Sequence, residues 1–138
     1  MRNRFILLLL VLAAASSVAG QANSSASGVD LRRGQTLQFA SISASSSGDN
    51  TVVSADATRR IRVLSYVVVS AGTVNVAWKS GAGTSLSGAM PLVANTGVAS
   101  PIGTPSGGWL LETATNQALV LNLSAAIAVT GHLSYFLE

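Results

Sequence analysis

Residues 59–81, RRIRVLSYVVVSAGTVNVAWKSG, constrain this chain more than any other stretch. They read as two strands reversed at Ala71-Gly72, where glycine takes a positive φ freely, and so predict a β-hairpin. In the first strand Ile61, Val63, Val67 and Val69 share one face, and Arg60, Arg62, Leu64, Tyr66 and Val68 share the other. Both faces turn apolar after Leu64. Leaving three large apolar side chains in water forgoes about 1.5–3 kcal/mol each, so residues 64–69 require cover on both sides. The return strand alternates cleanly, with Val74, Val76 and Trp78 inward and Thr73, Asn75, Ala77 and Lys79 outward.

The remaining pattern reads as further strands packed on this pair. Before it, residues 36–45 form a strand with Leu37, Phe39 and Ile42 as core candidates, and the break in parity between Phe39 and Ile42 predicts a bulge. SSSGDN is a loop and residues 51–54 a short strand. After it, GAGTSLSGAMPLVANTG is glycine-rich and interrupted by Pro91, which predicts short edge strands, and Pro101, Pro105 and Gly107-Gly108 extend the irregular region. Regular pattern returns at residues 109–113 and 118–124, where Leu119, Leu121 and Leu123 make one apolar face. The last strand, residues 127–137, aligns Ile127, Val129, Leu133, Tyr135 and Leu137, with Gly131 leaving a gap for a tryptophan to fill. About eight strands, turn signals between them and no convincing helix predict an all-β, single-domain antiparallel β-sandwich of jelly-roll type.

The amino terminus has the three parts of a secretory signal: Arg2 and Arg4, an apolar core over residues 5–15, then the small residues SSVAGQA. Residues 1–22 are therefore read as a signal peptide, in preference to a membrane anchor because the apolar run is too short to span a bilayer. Residues 23–34 are a flexible lead-in by composition, and residues 35–138 are the sandwich domain. The expected location is secreted, periplasmic or extracellular, with a virion as the alternative, and with no stable membrane insertion after cleavage. The formal charge of +3 includes Arg2 and Arg4; without them six basic residues face five acidic ones. A nearly neutral chain with 9% charged residues argues against a nucleic-acid partner. There is no cysteine, so stability does not depend on disulfides.

Residues for chemistry are sparse. His132 is the only histidine, and no serine sits in a G-x-S-x-G elbow. Paired carboxylates for glycoside hydrolysis have to come from Asp30, Asp49, Asp56, Glu112 and Glu138. Asp49 and Asp56 lie in turn contexts, and Glu112 is the one acid within a strand beside a tryptophan. With one histidine, no cysteine and no Asp-x-Asp spacing, no metal, cofactor or catalytic residue is expected. Arg59, Arg60 and Arg62 form the one basic cluster of the strand region, read as solvated or at an interface.

Residues 48–138 carry a recurring set of features: GDN before a short strand, RIRVL, WKSG, LSGAMPL, then ET-x(5)-L-x-L-N-L-S and GHLSY. In these the chain resembles small, mostly uncharacterised β proteins of tailed bacteriophages and prophages. The resemblance implies a non-enzymatic, virion-associated or surface structural protein of decoration or fibre type. It brings no catalytic residues. The secretion signal departs from the phage pattern and points to an exported relative.

The expected function is thus a structural or interaction protein that self-associates, a trimer being the favoured state, with phage capsid or tail or cell-surface components as further partners. Arg60, Arg62, Leu64, Tyr66 and Val68 are the candidate subunit interface. The alternative is a secreted carbohydrate-binding module using an exposed tryptophan, with Trp78, Trp109 and Glu112 as candidate ligand contacts.

Overall fold

The computed structural model describes residues 35–100 and 108–138. The signal peptide, the lead-in and the Pro101 and Pro105 segment lie outside the described residues. Among those described there is no helix, and ten strands form two five-stranded antiparallel sheets packed together.

The front sheet has the order β1 (Gln38–Ala44), β10 (Val129–Leu137), β3 (Ile61–Ser70), β7 (Gly97–Ser100), with β8 (Leu111–Glu112) also on β3. The back sheet has the order β2 (Gly48–Val53), β9 (Leu119–Leu123), β4 (Val74–Ser80), β5 (Thr84–Ser85), with β6 (Met90–Leu92) also on β4. The chain crosses between sheets at every connection from β1 to β4, returns after β6, and crosses again before β9 and β10. This is the winding of a jelly roll, with each outermost strand of the far edge divided into two short pieces.

The segment 59–81 is not a hairpin. β3 pairs with β10, β7 and β8, while β4 pairs with β9, β5 and β6, so Ala71-Gly72 carries the chain from one sheet to the other. The tight reversal is present, but the two strands meet face to face through side chains. Val74, Val76 and Trp78 point inward as their alternation predicts, and join Ile61, Val63, Tyr66 and Val68 in one core.

The two-sided apolar run of β3 has a local cause. Ser134 pairs with Ser65 but Tyr135 with Val63, which leaves Leu64 as an extra residue. This bulge shifts the parity of the strand. Ile61 and Val63 are buried before it and Tyr66, Val68 and Ser70 after it, so the outward residues are Arg62, Ser65, Val67 and Val69. The expected bulge in β1, by contrast, is absent. Its register with β10 is unbroken, and Phe39 faces out at 72% exposure while Ile42 is buried.

Among the described residues Ser70, Ser80, Thr113 and Ser134 are buried, and three of them serve the backbone. Ser80 Oγ accepts a hydrogen bond from Ala114 N at 2.9 Å, and Thr113 Oγ1 accepts one from Ile61 N at 3.0 Å. Ser70 Oγ donates to Gly72 O at 2.6 Å, inside the turn that changes sheets. Each satisfies a backbone group that a jelly roll's sheet changes leave without a ladder partner.

Candidate functional site

Three runs without Asp, Glu, Lys or Arg, residues 34–48, 63–78 and 113–137, supply β1, most of β3 and β10. Registered side by side, they make a front-sheet outer face without a formally charged side chain over most of its length. One row is Phe39, Ser134 and Ser65; the next is Ser41, His132 and Val67; the third is Ser43, Thr130 and Val69, with Gly97 beyond. Ser65 and Ser134 are joined by a 2.7 Å hydrogen bond between hydroxyls. Phe39 and Val69, 41% exposed, are the large apolar groups left in water on this face. Interfaces are depleted of charge at their centres in just this way.

The charges gather at one end of the same sheet. Because β8 pairs Glu112 with Arg62, and β10 pairs Phe136 with Arg62, Glu112 and Glu138 converge on one guanidinium. Arg62 Nε donates to Glu112 Oε2 at 2.5 Å, and its Nη1 donates to Glu138 Oε2. Arg60 Nη1 reaches the other Glu112 oxygen at 2.9 Å. The Trp109 ring lies over Arg62, 3.6 Å from guanidinium carbon to ring centroid, a cation–π contact. Reciprocal backbone bonds between Arg60 and Glu138, at 2.5 and 3.0 Å, fasten the last strand to the first residue of this clasp.

The other ions are closed in the same manner. Asp56 accepts from the backbone of Thr58 and Arg59, both at 3.0 Å, and from the Arg59 guanidinium at 2.7 Å. Lys79 spans the outer face of the back sheet to Asp49 at 2.9 Å, and Asn122 donates to the same carboxylate. Among the described residues, therefore, every lysine, arginine, aspartate and glutamate side chain is in an intramolecular ion pair. The pairs made by the exposed Arg59 and Arg60 contribute little stability each. The effect of the whole set is on recognition, since among the described residues it leaves no unpaired lysine or arginine for a polyanion.

Two of these carboxylates contribute to the response to acid. The Arg59 guanidinium and the Thr58 backbone hold the Asp56 carboxyl well below the usual carboxylate range, and the Lys79 and Asn122 hydrogen bonds lower Asp49. A depressed folded-state value gives stability that is full above the unfolded carboxylate pKa of about 3.9 and is lost as pH falls through the folded value. Urea midpoints are expected to be flat in these two groups' contribution from pH 7 to about 5 and to fall below about pH 4. Asp49→Asn with Asp56→Asn should make that acid limb shallower; an unchanged limb counts against these pairs as contributors.

Of the residues singled out from sequence, Leu64, Tyr66 and Val68 are buried within the chain, so they do not form a face open to a partner. The bulge at Leu64 is the reason, because it turns Tyr66 and Val68 to the side occupied by Val63. Arg60 and Arg62 belong to the ion-paired clasp. Trp78 is fully buried and stacks edge-on to Tyr66 at 5.3 Å between ring centroids, which removes it as a ligand contact. Trp109 remains 41% exposed, and Glu112 is taken by two arginines. Gly131 is approached by the Val67 backbone, not by a tryptophan.

The geometry also bears on catalysis. His132 sits between Ser41 and Val67, and Glu138 is six residues along the strand, about 20 Å away at strand spacing, too far to orient its ring. Glu112 and Glu138 do meet, but across a guanidinium that engages both, not on either side of a space for a glycosidic bond. Among the described residues no group of three His, Asp or Glu side chains is placed to hold a metal ion.

The outer-face set of Phe39, Ser41, His132, Val67 and Val69 escaped the sequence reading. Its signal was the coincidence of charge-free runs with strand pattern, hidden by the wrong parity assigned to β3. Comparison of the chain with protein-family models, with characterised proteins and with solved structures finds no match.

Proposed function

We propose that this chain is a non-enzymatic structural or interaction protein, exported or virion-associated, that self-associates through uncharged sheet surface. The observation that carries the reading is the closure of the described charges on one another beside an outer face that lacks them. Among the described residues such a surface holds no unpaired lysine or arginine with which to attract a polyanion. What it offers is hydroxyls, aliphatic groups and backbone, the materials of a packing surface. The resemblance to phage structural proteins supports the same reading, and the amino-terminal signal supports export.

Multi-angle light scattering on the chain released from its producing cell tests it. The expected mass is a multiple of one chain, stable to about 0.5 M salt because screening does not weaken apolar contact. A monomer at about 100 μM overturns the reading. Fractionation of the same cells with amino-terminal sequencing reads location and cleavage together, and a full-length chain in the cytoplasm overturns export.

A second reading is favoured by one observation: Trp109 lies over Arg62 and the residue is still partly exposed. A carbohydrate-binding module would use that ring as a stacking platform. Glycan-array binding lost on Trp109→Ala supports it, and an array without signal removes it.

A further inference from the structure

All but one of the edge strands carry a device that discourages strand addition. β2 is irregular between Thr51 and Val53 and bears Asp49. β5 and β8 are two residues each, and β8 holds Glu112. β6 is three residues with Pro91 at its middle, and β7 only four. Shortness, charge, proline and bulging are the usual guards of an exposed edge. β1 has none of them. Its seven residues, QFASISA, hold neither charge nor proline and keep unbroken register with β10. An antiparallel edge strand turns the N–H and C=O of alternate residues away from its own sheet, and no described strand lies beyond β1 to meet them.

We propose that β1 is the pairing edge for a second copy of this chain, the two strands meeting antiparallel about a two-fold axis at Ser41. The front sheet then runs from one protomer into the next. This rests on the self-association reading and places the contact at the edge of the uncharged sheet rather than on its face. The competing source of a strand is the chain's own leading segment. To fold back on β1 it would present residues 22–31, ANSSASGVDL, in which Val29 is the one β-branched residue among serine, glycine, asparagine and aspartate. β1 itself is the better complement. With Ser41 on the axis, Phe39 lies opposite the second copy's Ser43 and Ala40 opposite its Ile42, so outward and inward faces stay continuous and no like charges oppose. The contact is isologous, and so uses up the edge without starting a fibre.

The chain has no cysteine, so Ser41→Cys introduces a single thiol. Directly opposed residues of an antiparallel pair have Cα atoms about 4.5–5.5 Å apart, within disulfide reach. Mild oxidation is expected to convert S41C to a crosslinked dimer, while Val93→Cys, also exposed and just after β6, stays largely uncrosslinked. Ser41→Lys, with an unchanged far-UV circular dichroism spectrum, is expected to shift the light-scattering mass from two chains to one and weaken association at least about tenfold. If the wild-type chain is oligomeric but S41K leaves its mass unchanged and S41C crosslinks no faster than V93C, this interface is wrong and self-association stands. A wild-type monomer overturns both. A dimer that forms only after proteolytic removal of the residues before β1 assigns the edge to the chain's own leading segment and overturns the proposal.

Discussion

Replacing Trp78 with alanine is expected to remove about 4 kcal/mol of stability, a large share of the 5–15 kcal/mol that holds a domain of this size. The indole is fully buried on β4, against the facing strand's Tyr66. Its Nε1 has no hydrogen-bond partner, although it is shielded from water. That detail separates two substitutions. Trp78→Phe loses ring volume but forfeits no hydrogen bond and relieves a buried donor of its desolvation cost, so its expected penalty is about 1–2 kcal/mol. Urea unfolding followed by circular dichroism measures both. Equal losses for W78F and W78A would show that the indole nitrogen has a partner that matters.

The second large effect belongs to Gly131, in the middle of β10. A Cβ there would stand 1.9 Å from the Val67 carbonyl oxygen and 2.9 Å from its carbon, and the residue sits at φ +157°. Both obstacles are backbone of the neighbouring strand, so no rotamer relieves them. Gly131→Ala is expected to cost about 3 kcal/mol or more, since accommodating the methyl means parting β10 from β3. Gly83→Ala is the internal control. Nothing lies within 4 Å of a Cβ at Gly83, and alanine there is expected to change stability by no more than about 0.5 kcal/mol. Thermal or urea midpoints of the two variants give the comparison, and a Gly131→Ala protein as stable as Gly83→Ala would contradict the close approach.

Gly131 also connects stability to the uncharged outer face. It lies beside His132, between Ile42 of β1 and Val68 of β3, so tight approach at this point keeps β1, β10 and β3 in one continuous sheet. Loss of that continuity is expected to weaken pairing at the β1 edge along with folding.

What the sequence determined by itself is where the longer strands run and, where alternation is regular, their inward sides; it read SSSGDN as a loop, whereas Gly48 to Asn50 already belong to β2. Leu119, Leu121 and Leu123 are buried as their spacing requires, as are Val74, Val76 and Trp78. The all-β sandwich follows from the same pattern, because period-two side chains have to be buried against a second sheet. Tertiary structure alone decided which strands pair. Ala71-Gly72 reverses the chain whether the strands it joins share a ladder or face one another. β3 has both its edges taken by β10, β7 and β8, and β4 has its own taken by β9, β5 and β6, so the reversal becomes a crossing between sheets. It also decided parity in β3. One extra residue at Leu64 exchanges the two faces of everything after it, and nothing local marks the bulge, because its cause is the register that β10 imposes. The ion pairs show the same division. Their residue types were legible, but Glu112 and Glu138 reach Arg62 from 50 and 76 positions away, a closeness that only the sheet creates.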